Sequence, residues 1–263
     1  MAKIAIVSGG SSGIGKCVTA SLLAAGVKVY EFSRRDQAID GVLHKTVDVT
    51  DEELVRETVA EIIACEGHVD MLISCAGYGI SGAVEFTELK DAKRQLDVNF
   101  YGTVNCVKAV LGYMRKQNSG RIVCVSSVAG AIPIPFQTFY SVSKAAINSY
   151  VCALANEVRP YGITICAVQP GDIASSFTDA RNKSIAGDKE YGGRICRSVA
   201  LMEKDERTGM SAQAAGQYIA GLALRKKIKV CYAVGLKYKL FCVIMKIIPI
   251  RLSNYLIGKI YAQ

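Results

Sequence analysis

Residues 3–15 read KIAIVSGGSSGIG, and the interpretation of the whole chain turns on this stretch. Lys3–Ser8 is a short apolar run rich in β-formers, which predicts a buried strand. Gly9, Gly13 and Gly15 then allow a tight turn and a close backbone approach. Ile14–Ala25 has helical spacing and is closed by Gly26, and Val27–Ser33 reads as a second strand. A helix that starts directly after such a turn presents free N–H groups to an anion such as a pyrophosphate. The spacing here is G-x3-G-x-G, and taken alone it also suits a tight turn that holds no ligand.

The alternation continues along the chain. Val42–Val49, Val69–Ser74, Arg121–Ser126 and Ile163–Gln169 are strand candidates, and Ile228–Val234 adds another. Between them lie helical patterns at Asp51–Cys65, Leu89–Gln117, Phe139–Arg159 and Ser211–Leu224. Strands separated by helices of this length predict an α/β fold: a doubly wound parallel sheet of the Rossmann type. No repeat or linker divides it, so residues 1–235 are expected to form one domain. Residues 172–210 are long, polar and rich in Gly, Ser and charge, which predicts a substrate lid. Residues 236–263 form a basic, apolar C-terminal extension.

Composition narrows the function classes. The chain has 263 residues, of which 51% are apolar and 21% charged, enough for a sizeable core. No apolar run reaches the ~18 residues of a membrane-spanning helix. The start lacks signal-peptide character, and the ten cysteines therefore point to a reduced, cytoplasmic setting. With only His44 and His68 and no CxxC pair, neither a metal site nor a Ser-His-Asp hydrolase is expected. The net charge of +9 is unevenly placed. Glu206 is the last acid, and Arg207–Gln263 carries ten basic residues and none acidic. That asymmetry suggests an anionic partner for the C-terminal region. No nucleic-acid-binding module is recognisable there.

Three further motifs bear on chemistry. Tyr140 and Lys144 are four residues apart on a predicted helix and share one face. A phenol titrates near ~10, and a neighbouring ammonium lowers that value, so a phenol tuned in this way can exchange a proton with an alcohol or ketone. Ser126-Ser127 ends the strand RIVCVS, where parallel sheets line their ligand crevice. In chain order stand the glycine turn, Asp48-Val49, Ala76-Gly77, Asn99, Ser127, Tyr140-x3-Lys144 and Pro170-Gly171. This order resembles the short-chain dehydrogenase/reductase family across residues 3–235.

The resemblance implies that residues 1–235 are the Rossmann-type dinucleotide-binding and catalytic domain of an NAD(P)-dependent oxidoreductase, which passes hydride between a nicotinamide and a carbinol or carbonyl. Tyr140 would be the general acid/base, with Lys144 binding the nicotinamide ribose and depressing the phenol's pKa. Ser127 would bond the substrate oxygen, and Asn99 would hold a proton-relay water. The cofactor would meet Gly9, Ser11, Ser12, Gly13, Ile14 and Gly15 at its phosphates and Asp48 and Val49 at adenine. Ala76, Gly77 and Pro170-Gly171 would lie along it, with Ile173 and Ser175 at the carboxamide. Cys75 departs from the family pattern, because Ser74-Cys75-Ala76-Gly77 replaces Asn-Asn-Ala-Gly and a thiol cannot make the amide's bonds. We expect it to act as a small hydrophobe rather than a nucleophile.

Cofactor choice follows from the end of the second strand. An acid there would bind the ribose of NAD, but the position is Ser33, followed by Arg34-Arg35, which suits the 2′-phosphate of NADP. NADP is therefore expected, with NAD as the alternative. Within the family the lid and extension look like the hydroxysteroid dehydrogenase branch. The expected substrate is a small lipophilic alcohol or ketone, a hydroxysteroid or bile acid at its 3-position, with an anionic group favoured by a basic surround. Retinal, acyl-dihydroxyacetone phosphate, and NADP binding as a sensor or scaffold without turnover are the alternatives. The extension either closes the pocket or makes a peripheral membrane contact, and both readings stay open. Family members commonly form homodimers or homotetramers through helices equivalent to Leu89–Gln117 and Phe139–Arg159.

Overall fold

Every residue of the first strand, β1 (Ile4–Ser8), is buried, as a strand covered by helices on both faces must be. The computed structural model describes residues 2–35 and 39–262. From β1 the chain runs through α1 (Gly13–Ala24), β2 (Lys28–Ser33), β3 (Leu43–Thr46), α2 (Glu52–Glu66), β4 (Met71–Ser74) and the short β5 (Ile80–Ser81). There follow α3 (Leu89–Leu96), a π-helical turn (Asp97–Tyr101), α4 (Gly102–Gln117), β6 (Gly120–Val125), α5 (Thr138–Val158) and β7 (Ile163–Gln169). Next come β8 (Ile173–Ala174), α6 (Phe177–Ala180), β9 (Asn182–Lys183), α7 (Arg194–Arg207) and β10 (Met210–Ser211). The chain closes with α8 (Ala212–Leu224), β11 (Cys231–Ala233), α9 (Leu236–Ile247) and α10 (Ile250–Tyr261).

Seven strands form one parallel sheet in the order β11-β7-β6-β4-β1-β2-β3. Alternate residues serve its two faces. Ile4 and Ile6 pack with Val55 and Val59 of α2, Val107 and Val110 of α4, and Ile147 and Val151 of α5. Ala5 and Val7 pack with Val18 and Leu22 of α1 and Ile219 and Leu222 of α8. The strand order reverses at β1, between β2 and β4, and in such sheets the crevice for a ligand opens there, at the carboxyl ends.

The elements depart from the sequence expectations in three places. The single helix expected over 89–117 is interrupted by the π-helical turn at Asp97–Tyr101. The third strand is shorter than Val42–Val49, although Val47 and Val49 beyond it stay buried. The polar segment 172–210 holds a 14-residue helix, α7, which buries Ile195, Ser198, Val199 and Met202 at helical spacing. Its stripe is narrow and its other residues are mostly charged or polar, so it reads as loop from composition alone.

Candidate active site

The glycine-rich turn makes a cradle. Ser12 precedes α1 in extended backbone and makes no side-chain cap, and the first turn carries no acid. The opening N–H groups of α1 have neither an intrahelical partner nor a capping side chain, and the helix dipole adds positive potential there. A Cβ added to Gly15 would stand 2.1 Å from the Gly9 carbonyl oxygen, so the turn closes only around glycine.

Two adjoining cavities share Gly9, Ser12, Ala76, Gly77 and Tyr78. One is also lined by Ser11, Ser33, Arg34, Arg35, Asp48 and Val49. The other is lined by Gly13, Ile14, Gly15, Cys75, Ser127, Tyr140, Lys144, Pro170, Gly171, Ile173 and Ser175. Every site residue read from the sequence therefore lines this double trough, except Asn99. An extended dinucleotide fits the trough: an open helix start lies at its centre, and the arginine pair stands at one end with the phenol at the other.

At the arginine end, Glu31 of β2 is turned away. It is buried behind Gly10, and its Oε2 lies 2.7 Å from His44 Nδ1 and accepts from Ser33 Oγ at 3.1 Å. The trough is left with Ser33, Arg34 and Arg35. Asp48 accepts from Thr50 N and Oγ1 at 3.0 and 2.8 Å, and Arg94 Nη2 of α3 lies 3.8 Å from it. Burial pushes the Asp48 carboxyl up, but the Thr50 bonds and the charges of Arg34 and Arg94 outweigh it and hold the group below its usual range. Arg94 lay in an expected helix with nothing in its spacing to single it out.

At the other end, α5 delivers Tyr140 and Lys144 from successive turns. Ser126 Oγ donates to the Lys144 carbonyl at 2.9 Å, which clamps α5 to the end of β6. Gly130 sits where an added Cβ would be 2.5 Å from the Lys144 carbonyl carbon, so only glycine allows this approach. Lys144 Nζ donates to the Val125 carbonyl at 2.9 Å and stands 5.7 Å from the Tyr140 ring centre. The Ser127 hydroxyl accepts from Ala129 N at 3.1 Å and faces Tyr140.

The electrostatics correct one expectation. Lys144 was expected to depress the Tyr140 phenol, yet burial dominates and pushes Tyr140 up to about 12, with the Ser127 bond pulling the other way. Burial also pulls Lys144 itself down to about 8. The ammonium spends a proton on Val125 rather than on the phenol. Burial likewise pushes the Cys75 thiol up to about 12, so it stays protonated and inert at neutral pH.

Asn99 stands behind the trough, fully buried in the π-helical turn. Its Oδ1 accepts from Tyr78 N at 3.0 Å, and its Nδ2 donates to Tyr78 O and Ser143 Oγ, both at 3.0 Å. Its own carbonyl accepts from Thr103 Oγ1 at 2.9 Å. The amide thus braces the Gly77-Tyr78 wall against α5. Ser143 had no sequence signal, since it is one of several serines on its helix.

The wall beyond Tyr140 comes from the C-terminal third. Phe177, Ala180, Met202 and Glu206 line it from α6 and α7, and Tyr238, Phe241, Ile257 and Tyr261 from α9 and α10. Asp172 also lines it and accepts from Tyr238 Oη. A basic surround favouring an anionic substrate was expected here, but the C-terminal cations do not supply one. Of the ten C-terminal basic residues none lines this cavity, whereas Asp172 and Glu206 do. The lysines of α9 and α10 occupy exposed positions, as long cationic side chains do.

A nucleotide trough that ends at a half-buried phenol and serine beside a buried ammonium is built for moving hydride and proton together, and it defines an oxidoreductase. The chain belongs to the short-chain dehydrogenase family, whose model, described as short chain dehydrogenase, matches residues 3–186. It is 40% identical over 264 residues to the 3-ketodihydrosphingosine reductase of Bacteroides thetaiotaomicron, covering 99% of this chain and 98% of that one. A short-chain dehydrogenase structure from Streptomyces avermitilis superposes with a TM-score of 0.83 at 27% identity, covering 92% of this chain and 91% of that one. The structure of ElxO with NADP bound gives a TM-score of 0.76 at 25% identity, covering 91% of this chain and all (100%) of that one.

Proposed function

We propose that the protein uses NADPH to reduce a ketone on a single-chain lipid, of the 3-keto sphingoid class. The observation that carries this reading is the extent of the likeness to the Bacteroides reductase. It runs over 99% of the chain and so takes in α9 and α10, which lie beyond residues 3–186 and supply the wall around the reacting centre. A mostly apolar wall that carries the Asp172 carboxylate suits a hydrophobic chain that bears an ammonium near its ketone, while Glu206 is already paired with Arg181. The hydroxysteroid or bile acid expected from the sequence has no such group for Asp172 to meet.

The bound nicotinamide would supply hydride to the carbonyl carbon. The ketone oxygen would sit between Ser127 and Tyr140, where the serine hydroxyl donates a hydrogen bond and Tyr140 gives up its proton. Lys144 would hold the ribose hydroxyls, and the Ser127 bond would favour the phenolate left behind. Asn99 would act by keeping the Tyr78 backbone and Ser143 in place.

The test is NADPH oxidation with 3-ketodihydrosphingosine, its N-acylated analogue and a steroid 3-ketone. The free amine is expected to be the best substrate, with kcat/KM at least about tenfold above the N-acyl compound, because acylation removes the charge that Asp172 would meet. Preference for the steroid would sink the proposal.

Preference for NADPH over NADH rests on the arginine end of the trough. Arg34→Asp is expected to lower kcat/KM for NADPH by about 30-fold or more while changing NADH by less than a few fold. Equal losses with both cofactors would remove Arg34 from phosphate recognition. We also propose self-association through the α4 and α5 side of the molecule, where Tyr101 and Val142 are exposed.

A further inference from the structure

Helices α9 and α10 have an inner and an outer side, and only the inner side is used by the site. Tyr238 and Phe241 line the cavity and Cys242 is buried, while Leu236, Leu240, Val243 and Ile247 recur at helical spacing on the opposite side. Leu236, Ile247 and Ile250 are 84%, 76% and 83% exposed, and Leu252, Tyr255, Leu256 and Ile260 continue the exposed apolar surface on α10. At 100° per residue, Lys237 flanks the α9 stripe on one side and Lys239 and Lys246 flank it on the other. Arg251 and Lys259 add charge from α10. None of these five basic groups makes an ion pair among the described residues.

We propose that this outer surface docks onto an anionic phospholipid bilayer, with α9 lying in the plane of the interface. The inference goes beyond the substrate reading and does not depend on it. Apolar residues between rows of lysine match the boundary between acyl chains and acidic headgroups. No helix among the described residues is long and apolar enough to cross a membrane, so the contact is peripheral. A second copy of the chain fits poorly. A two-fold contact would bring two such sets of five cations together, and the chain has no acid after Glu206 to pair with them. The same helices wall the cavity from inside, so docking places the pocket wall against the lipid phase.

The experiment is flotation of the full chain with vesicles of phosphatidylcholine alone and with about 30% phosphatidylglycerol. We expect flotation only with the anionic vesicles, reversed by high salt. Lys237→Glu/Lys239→Glu/Lys246→Glu should weaken partitioning by about 100-fold or more, since each cation contributes about fivefold near such a surface. Leu240→Ser/Val243→Ser/Ile247→Ser should weaken it comparably, with far-UV circular dichroism and NADPH affinity unchanged in both variants. None of these six residues lines the trough. Absence of flotation, or equal flotation with both vesicles, overturns the proposal. It is also overturned if the triple-serine variant sediments as a smaller species than the wild type, which would assign the surface to a second copy.

Discussion

Tyr140→Phe is expected to lower kcat for ketone reduction by about 10²- to 10⁴-fold, the usual worth of a positioned proton donor. NADPH affinity should move by less than about twofold, because the phenol's neighbours are Ser127 and the ring of Phe177, whose centre lies 5.7 Å from that of Tyr140. The sign of the pH dependence follows from burial. A phenol held near 12 is fully protonated at pH 7, which is the form that donates to a carbonyl. Reduction should therefore show no loss from this group between pH 6 and about 8. The reverse oxidation needs the phenolate and should climb with pH through the same range, toward about tenfold per unit. A phenylalanine variant that keeps more than about a tenth of the activity would remove Tyr140 from the role. An oxidation rate flat in pH would contradict the direction of its shift.

Lys144→Met should make the protein more stable and nearly inactive. Burial holds the Lys144 pKa at about 8, below its ordinary 10.5. Below pH 8 both folded and unfolded chains carry this proton, and the fold bears the full cost of a buried ammonium. Between those two values the unfolded chain holds more protons than the folded one, so stability rises with pH, and above 10.5 the penalty is gone. The shift corresponds to an upper figure of about 3 kcal/mol at pH 7, and the lost Val125 bond subtracts from it. We expect a net gain of about 1–2 kcal/mol in cofactor-free protein at pH 7, shrinking toward pH 10, measured by urea unfolding at both pH values. A methionine variant less stable at pH 7, or with an undiminished advantage at pH 10, would show that the ammonium is not under strain. The loss of activity would come from the ribose contact.

Much of this site could be read before any coordinates, and for a physical reason. The cradle, Ser127, Tyr140 and Lys144 sit at strand ends and on one helix, so local spacing reports their geometry. The sheet was legible because strands buried on both faces leave near-continuous apolar runs. What escaped depends on contacts between distant segments. The break at Asp97–Tyr101 is invisible as composition, since one extra residue in a turn leaves the apolar pattern of 89–117 only slightly out of phase. The low pKa of Lys144 and the high one of Tyr140 come from burial that no neighbour in sequence signals. The place of Asp172 and Glu206 in the wall was missed for a similar reason. Net charge along the chain says where the cations are, but not that they face away from the cavity.

The roof of the pocket has a mechanical property that follows from its polar links. Arg181 has a side chain with no exposure at all, and it is paired with Glu206 of α7. Thr178 Oγ1 of α6 donates to the same carboxylate at 2.7 Å, and Asp179 meets Arg207 at 2.7 Å. Parting α6 from α7 would leave a guanidinium and a carboxylate without partners in a poorly hydrated place, which is far more costly than breaking an exposed pair. The two helices are thus welded into one plate. Any opening of the site on this side would therefore move that plate as a unit about its ends, over a single collective barrier and not by piecemeal fraying.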